Sequence, residues 1–225
     1  MKTLVLARHA QSDKKDPALS DFDRPLNRRG ESGAFDLAEQ FAVSDLRVDA
    51  LISSPAVRAR STAGILAKKI SVPVQTDERI YTDGVQKLLE MVRSFDDRHS
   101  TIVLIGHNPG LSEFLRYLTD DNYADLPTAS AAVVNLPINV WRHTSSGKGT
   151  FKGVLSSNEN ILELRRGPAL HWKERYRIWQ FEHAKQIYLS VIFAFALVLI
   201  LGVVGLLMYK STDFSAMPQQ GSGSR

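Results

Sequence analysis

This 225-residue chain contains two arginines and two histidines that come soon after apolar segments. Arg8 and His9 follow the apolar residues 3–7, Arg58 comes after a second apolar segment, and His107 after a third. Guanidinium groups match the geometry of phosphate oxygens, and a neutral imidazole nitrogen is a nucleophile or a proton acceptor. If the fold brings them together, these side chains predict a binding site for a phosphoryl group.

The elements that would position these side chains alternate along the chain. Short apolar segments indicate strands at 3–7, 48–52, near 74, at 101–105, 131–136 and 152–164. Four segments with apolar residues at three- and four-residue spacing indicate helices at 34–41, 57–66, 85–92 and 111–118. Repeated strand and helix predict the α/β class, as a three-layer sandwich whose mostly parallel sheet is covered by helices on both faces.

Ligands in such sheets bind beyond the carboxyl ends of the strands, where the N-termini of helices also point. Three polar motifs occupy that position. They are Arg8-His9-Ala10, Ser53-Ser54-Pro55 with Arg58, and Gly106-His107-Asn108-Pro109-Gly110. We therefore expect them to converge on one edge of the sheet. A single histidine would more often be structural, but four such residues at strand ends favour a functional site.

The composition indicates a folded protein and excludes several other classes. With 44% hydrophobic and 23% charged residues, the chain is typical of a globular domain with extensions. It contains no cysteine, which excludes disulfides and cysteine-ligated metal sites. The formal charge of +4 is concentrated in 165–186, whereas 1–164 is close to neutral, so nucleic-acid binding is not predicted.

The segment 187–209 contains no charged residue and predicts a single transmembrane helix. At 1.5 Å per residue it would extend roughly 34 Å, enough to cross a bilayer core. A buried core helix is the alternative, although such helices seldom lack a polar face over this length. The basic residues before the span predict that the domain 1–164 lies on the cytoplasmic side of a membrane. The remaining residues, 210–225, are interpreted as a short flexible tail.

The segment 165–186 combines basic residues with aromatic residues at helical spacing. This pattern favours a juxtamembrane helix that contacts anionic lipid headgroups, and packing of the aromatic rings on the domain is the alternative.

The three motifs together resemble those of the histidine phosphatase superfamily, also called phosphoglycerate mutase-like. The resemblance is carried by Leu-Val-Leu-Ala-Arg-His-Ala at 4–10, Ser-Ser-Pro-Ala-Val-Arg-Ala-Arg-Ser-Thr-Ala at 53–63 and Leu-Ile-Gly-His-Asn-Pro-Gly at 104–110. The small size, the Pro-Leu-Asn-Arg-Arg-Gly segment at 25–30 and the His-Asn-Pro-Gly sequence are most similar to the SixA-type phosphohistidine phosphatases. The resemblance covers roughly residues 1–165 and does not extend to the predicted membrane segment.

The resemblance implies a role for each matching residue. His9 would attack phosphorus and form a phosphohistidine intermediate, so its attacking nitrogen must be unprotonated and activity should fall at low pH. Arg8, Arg58 and His107 would hold the three equatorial oxygens of the phosphoryl group. Ser12 lies beside the first motif and is a further candidate phosphate contact. No metal or other cofactor is required by this scheme.

The general acid is the weakest part of the resemblance. Many members supply a carboxyl group after the third strand, where this chain offers Glu78 first, then Asp83, then Asp77. Each could equally be a solvated loop charge. A phosphate ester needs a protonated leaving group, whereas a phosphoimidazole already protonated on its other nitrogen leaves as neutral imidazole. A poorly defined acid therefore favours phosphohistidine as the substrate.

The sequence as a whole predicts a membrane-anchored, metal-independent phosphatase that acts on phosphohistidine in proteins. A phosphomonoesterase for small sugar, nucleotide or lipid-headgroup phosphates is the alternative enzyme. A non-catalytic membrane adaptor that binds phosphorylated partners is the alternative outside enzymes. The adaptor is less favoured, because binding alone would not require a nucleophilic His9.

Overall fold

The computed structural model describes residues 1–81 and 84–156. Its strands are β1 (Lys2–Arg8), β2 (Ala50–Ser53), β3 (Val74–Thr76), β4 (Thr101–Gly106), β5 (Ser130–Leu136) and β6 (Thr150–Leu155). Its α-helices are α1 (Arg28–Val43), α2 (Val57–Ile70), α3 (Val85–Arg93) and α4 (Gly110–Thr119). Short 3₁₀ helices occupy Glu78–Tyr81 and Trp141–His143. The predicted α/β class is confirmed.

The strands form one six-stranded sheet in the order β3-β2-β4-β1-β5-β6. The first four strands in that order are parallel, but β5 is antiparallel to β1 and β6 is antiparallel to β5. The sheet is therefore mixed, and the expectation of a mostly parallel sheet holds only for β1 to β4.

The path of the chain after α4 explains the reversed strands. Helix α4 runs away from the carboxyl edge of the parallel strands, and the loop 120–129 then returns to that edge. There Leu126 accepts a hydrogen bond from Arg8, and the Ala129 amide donates to the His9 carbonyl. Strand β5 thus begins beside the end of β1 and must run antiparallel to it. No α-helix crosses between β5 and β6, so these two strands are antiparallel as well.

Side chains on alternate positions of the strands pack against two different helical layers. Val5 and Ala7 of β1 share a buried cluster with residues of α1 and α2, including Leu37 and Ala63. The intervening strand residues, such as Leu4, are fully buried on the opposite face, where α4 contacts β1 and packs against α3. This alternation is the reason that the central strands are apolar on both faces.

No helix within residues 1–81 and 84–156 is long and apolar enough to cross a membrane. The predicted transmembrane helix 187–209, the juxtamembrane segment 165–186 and the tail 210–225 lie outside the described residues. The last predicted strand, 152–164, is observed as β6 at Thr150–Leu155, and its remaining predicted residues from 157 onward also lie outside them.

Candidate active site

The pairing of β1 with β4 brings the first and third motifs side by side. Arg8 lies opposite Gly106 in the parallel register, and the His9 amide donates a hydrogen bond to the Gly106 carbonyl at 3.0 Å. The imidazole rings of His9 and His107 consequently lie 4.8 Å apart between centroids. The predicted convergence of these motifs at one edge of the sheet is observed.

Arg58 connects the two histidines from the first turn of α2. Its Nε donates to Nε2 of His9 at 3.1 Å, and its Nη2 lies 3.2 Å from Nδ1 of His107. The side chain is 8% exposed, so its charge is buried within the site. Arg60, two residues further along the helix, is exposed, as the helical spacing predicts.

The hydrogen bonds of His9 identify its reactive nitrogen. Nδ1 lies 2.7 Å from the carbonyl oxygen of Ala10, which can only accept, so Nδ1 carries the proton. Nε2 accepts from Arg58 and therefore presents its lone pair to the site. Burial, followed by the charges of Arg58 and Arg8, lowers the pKa of His9 to about 4. At neutral pH the ring is unprotonated at Nε2, the nitrogen that faces Arg58.

His107 is oriented by Ser54, which follows β2. Nδ1 of His107 faces the donor group of Arg58, so the proton of the neutral ring lies on Nε2, and Nε2 is 2.8 Å from Oγ of Ser54. Burial, followed by the charges of His9 and Arg58, lowers the pKa of His107 to about 3. Ser54 is fully buried and fixes the face that His107 presents to the site. The sequence alone indicates no separate role for Ser54.

Arg8 is held by the loop that returns from α4. Its Nη1 donates to the carbonyl oxygen of Leu126 at 2.8 Å, and the side-chain amide of Asn108 donates to the same oxygen at 3.0 Å. Nε of Arg8 is buried and has no hydrogen-bond partner among the residues that the structure describes. A phosphoryl oxygen would supply the missing acceptor, so the donor set of this site suits an oxyanion.

The loop 11–27 forms the outer wall of the site. Its two ends are joined by an antiparallel bridge between Ser12 and Leu26, and the Asn27 side chain caps α1 by accepting from the Gly30 amide at 2.8 Å. Ser12 lines the cavity beside His9, and its contact with phosphate stays a prediction. The Pro-Leu-Asn-Arg-Arg-Gly segment thus joins the end of this loop to the start of α1.

Asp21, in the middle of that loop, is a site residue that the sequence analysis did not identify. Its main-chain oxygen accepts from Nη1 of Arg58, and its Oδ2 accepts from Nη2 of Arg58 at 2.8 Å. Oδ1 accepts from Arg24 at 2.8 Å. Burial alone would raise the pKa of Asp21, but the hydrogen bond and charge of Arg58, with the charge of Arg24, lower it. Only the tertiary contact reveals this carboxylate, since nothing in its local sequence sets it apart.

Two of the carboxyl groups proposed from the sequence as general acids, Glu78 and Asp77, do not line the cavity that contains His9. Glu78 is exposed on the first 3₁₀ helix and lines a different groove from the one that contains His9. Asp77 is engaged by Arg79 at 2.6 Å, and this hydrogen bond lowers the pKa of Asp77. Asp83 lies outside the described residues. In the residues described, neither His9 nor His107 forms a hydrogen bond with a carboxyl group.

Two cavities flank the Asp21 segment. The first has a volume of about 650 Å³ and contains the predicted phosphoryl site. The second, about 600 Å³, is lined by the rings of Phe22 and Tyr81. These rings meet edge to face at 5.3 Å, and the ring of Tyr81 meets that of His107 at 5.4 Å in the same way. An aromatic surface therefore extends from the site toward solvent.

Within the described ranges, no group of three or more histidine, aspartate or glutamate side chains has the arrangement of a metal site. The donors around His9 are the cationic and neutral groups that suit a phosphoryl oxyanion.

A sequence model of the histidine phosphatase superfamily (branch 1) matches residues 4–82, which contain the first two motifs. An uncharacterised protein of Mycobacterium tuberculosis is 32% identical over 133 residues, which cover 58% of this chain and 80% of that protein. The chain belongs to the histidine phosphatase superfamily. It is accordingly a phosphatase. An uncharacterised chloroplastic protein of Arabidopsis thaliana is also similar, with 27% identity over 72% of this chain and 80% of its own length.

Solved structures of several other proteins have a similar fold. The SixA protein from Nakamurella multipartitia has a TM-score of 0.61 and 24% identity over 68% of this chain and 94% of its own. The protein histidine phosphatase SixA complexed with tungstate has a TM-score of 0.60 and 18% identity, over 68% of this chain and 96% of its own. A mycobacterial glucosyl-3-phosphoglycerate phosphatase has a TM-score of 0.52 and 16% identity, over 67% and 97%.

Proposed function

We propose that this phosphatase removes the phosphoryl group from phosphohistidine in proteins, as the SixA-type members are named for doing. The observation that carries the proposal is the state of the carboxyl groups near the site. Asp21 is bound to Arg58, Asp77 is bound to Arg79, and Glu78 is exposed in the neighbouring aromatic groove without a hydrogen bond to either histidine of the site. An ester leaving group needs a proton donor, whereas a departing imidazole that keeps a proton on its far nitrogen does not.

The proposed reaction has two displacements. Nε2 of His9 forms a bond to phosphorus while the P–N bond of the substrate breaks, and the electron pair of that bond stays on the departing imidazole nitrogen. Water then attacks phosphorus, the P–Nε2 bond breaks, and His9 recovers its lone pair while the proton of the water passes to the phosphate oxygens or to solvent. Arg8 and Arg58 offset the charge of the phosphoryl oxygens in both steps.

His107 would change protonation state during this cycle. In the free protein its Nδ1 accepts from Arg58 and its pKa is low, so it is neutral. A phosphoryl dianion beside it favours the protonated form, in which Nδ1 becomes a donor to a phosphoryl oxygen. Ser54 keeps the ring in the orientation that this donation needs.

The rings of Phe22 and Tyr81 beside His107 support a substrate with a planar leaving group. Glu78 lines the same groove, where it is exposed and forms no hydrogen bond with His9 or His107. The edges and faces of Phe22 and Tyr81 lie next to the site, and planar rings pack favourably against such surfaces. An imidazole that departs from phosphorus is such a ring.

A small-molecule phosphomonoesterase is the second candidate, because the cavity also has a basic rim. Lys14, Lys15 and Arg24 line it together with the residues around His9. Cationic groups at this distance from the nucleophile suit a leaving group that carries its own negative charge, such as an acidic sugar derivative.

The discriminating experiment measures phosphate release by the full-length chain in mild detergent and in the presence of chelator. The substrates are a phosphohistidine protein and a panel of sugar, nucleotide and headgroup phosphates, and His9→Ala is the control. We expect His9-dependent turnover of the phosphohistidine protein, with Glu78→Gln nearly as active as the unmodified chain. If Glu78→Gln abolished that turnover as completely as His9→Ala, the proposal would fail. Turnover confined to an ester would favour the second candidate.

We also propose that 187–209 anchors the phosphatase to a membrane, with the domain 1–164 on the cytoplasmic side and 165–186 on anionic lipid. Support comes from the uncharged length of 187–209 and from the basic residues that precede it. A tag at the C-terminus and protease digestion of sealed vesicles test the orientation. Protection of the domain from protease added on the cytoplasmic side would contradict it.

A further inference from the structure

In its contact with Arg58, Asp21 accepts hydrogen bonds from donors that a phosphoryl oxygen would also use. Both terminal nitrogens of the Arg58 guanidinium face Asp21, one at the main-chain oxygen and the other at Oδ2, 2.8 Å away. The same Nη2 lies 3.2 Å from His107, so it belongs to the site in which the phosphoryl group would be held. Asp21 also lines the cavity that contains His9.

A carboxylate and a phosphate oxygen are similar ligands for a guanidinium group, because both are anions that accept paired N–H donors. They cannot both receive the donor of Nη2 in full. We propose that Asp21 is an affinity-determining residue whose carboxylate competes with phosphoryl oxygens for Arg58 and thereby weakens the binding of the phosphate that the reaction releases.

The exposure and contacts of Asp21 are those of a carboxylate that can leave Arg58, and not those of a carboxylate held in a fixed ion pair. Its side chain is 54% exposed, whereas that of Arg58 is 8% exposed, so the carboxylate can leave the arginine toward solvent while the arginine stays in place. At the rim of the cavity, Arg24 donates to Oδ1 at 2.8 Å, and the hydroxyl of Tyr81 lies 3.4 Å from Oδ2. These contacts keep the carboxylate near the mouth of the cavity when it has been displaced from Arg58.

The competition has a consequence for turnover. Buried Arg58 and half-buried Arg8 would together hold a phosphate dianion tightly if no carboxylate competed for them, and a phosphatase that holds its product is inhibited by it. A carboxylate that returns to Arg58 makes up for part of the interaction lost when phosphate leaves. Asp21 therefore favours product release over retention.

The test measures the binding of inorganic phosphate and of tungstate to the full-length chain by titration calorimetry at neutral pH. Asp21→Asn removes the charge and keeps the size of the side chain. Asp23→Asn is the matched control, since Asp23 is an exposed carboxylate of the same loop that accepts from Ser20 and does not line the cavity. We expect Asp21→Asn to bind both oxyanions about five- to tenfold more tightly, and Asp23→Asn to stay within about twofold of the unmodified chain.

Two further variants separate competition from a structural role. Asp21→Glu retains the anion and should bind phosphate with an affinity close to that of the unmodified chain, whereas Asp21→Ser should behave like Asp21→Asn. Steady-state kinetics should show a lower KM and stronger inhibition by phosphate in both neutral variants. Loss of a purely structural contact would weaken oxyanion binding instead. Unchanged or weaker phosphate binding in the neutral variants would overturn the proposal. Because phosphate and tungstate are the probes, the result does not depend on which substrate the phosphatase uses.

Discussion

Nε of Arg58 donates a hydrogen bond to Nε2 of His9 at 3.1 Å. This contact identifies Nε2 as the nitrogen that would attack phosphorus. The contact depends on the first turn of α2 meeting the end of β1, because Thr62 of α2 accepts from the Ala10 amide at 3.1 Å and donates to the Arg58 carbonyl. The geometry of the nucleophile is therefore set by the packing of a helix against a strand end, and it should be sensitive to changes on that helix.

Removal of the Arg58 guanidinium should greatly reduce catalysis. Arg58→Ala is expected to lower kcat about a hundred- to a thousandfold, because the charge of the phosphoryl oxygens in the transition state is then poorly offset. Arg60→Ala, an exposed change on the same helix, should retain nearly full activity. Phosphate release from a phosphohistidine protein measures both variants. Equal losses in the two would argue that general damage to α2, and not the position of the guanidinium, is responsible.

Ser54 should affect catalysis chiefly by orienting His107, because its hydroxyl oxygen is 2.8 Å from that ring and accepts from the Ala56 amide only at 3.3 Å. In Ser54→Ala, Nε2 of His107 loses its buried acceptor, and the ring can turn away from the phosphoryl group. We expect kcat to fall about tenfold, with a loss of unfolding free energy of about 1–3 kcal/mol. Ser53→Ala is the matched control, because Ser53 is equally buried and donates only to the Ser54 carbonyl. A kcat in Ser54→Ala no lower than in Ser53→Ala would show that the serine does not orient His107.

The low pKa of His9 predicts an unusual pH profile. Since the free protein keeps His9 neutral down to its pKa of about 4, kcat/KM should remain nearly constant from neutral pH to about pH 5 and decline below that. An unperturbed histidine would lose activity from about pH 6.5. Initial rates at subsaturating substrate, in buffers of constant ionic strength, give the profile. A midpoint near 6.5 would contradict the buried, arginine-flanked environment.

The same pKa affects stability. Above about pH 6.5 His9 is neutral in both states and has no effect on the pH dependence of unfolding. Between about pH 6.5 and 4 the unfolded chain binds a proton that the folded protein does not, so stability must decrease as the pH falls. His107 acts in the same direction. Urea unfolding from pH 7 to 4.5 should show this decrease, and His9→Gln should show a smaller one. An equal decrease in His9→Gln would assign the effect to other groups.

Gly30 should be intolerant of any side chain. A Cβ there would collide with the carbonyl of Gln11, at the point where α1 meets the loop that carries Asp21. Gly30→Ala is expected to cost about 1–3 kcal/mol in unfolding free energy. Gly64→Ala, in the middle of α2 with open space around it, should instead be neutral or stabilising by up to about 1 kcal/mol. Thermal unfolding compares the two, and a stable Gly30→Ala would mean that the loop can move aside.

Local sequence was sufficient for much of the fold and for part of the site. Apolar segments at strand length and three- to four-residue spacing predicted β1, β4 and all four α-helices, because these elements bury one or both faces in the core. The motifs at the strand ends predicted that His9, Arg58 and His107 would meet. Parallel strands place their carboxyl ends at one edge of the sheet, so this meeting follows from the order of the elements alone.

The direction of β5 and the groups that act through other residues were decided only by the tertiary structure. An apolar strand has the same sequence pattern whether it runs parallel or antiparallel, and here the return of loop 120–129 to the end of β1 sets the direction. Asp21 lies in a polar loop where any carboxylate looks solvated, and its role depends on a contact with Arg58, 37 positions away in the sequence. Hydrogen bonds between residues distant in sequence leave no periodic pattern, whereas burial of a helix or strand face does. The sequence by itself therefore determined that the motif residues at the strand ends gather at the site. The packed structure decided which other residues, such as Asp21, join them and which atoms face one another.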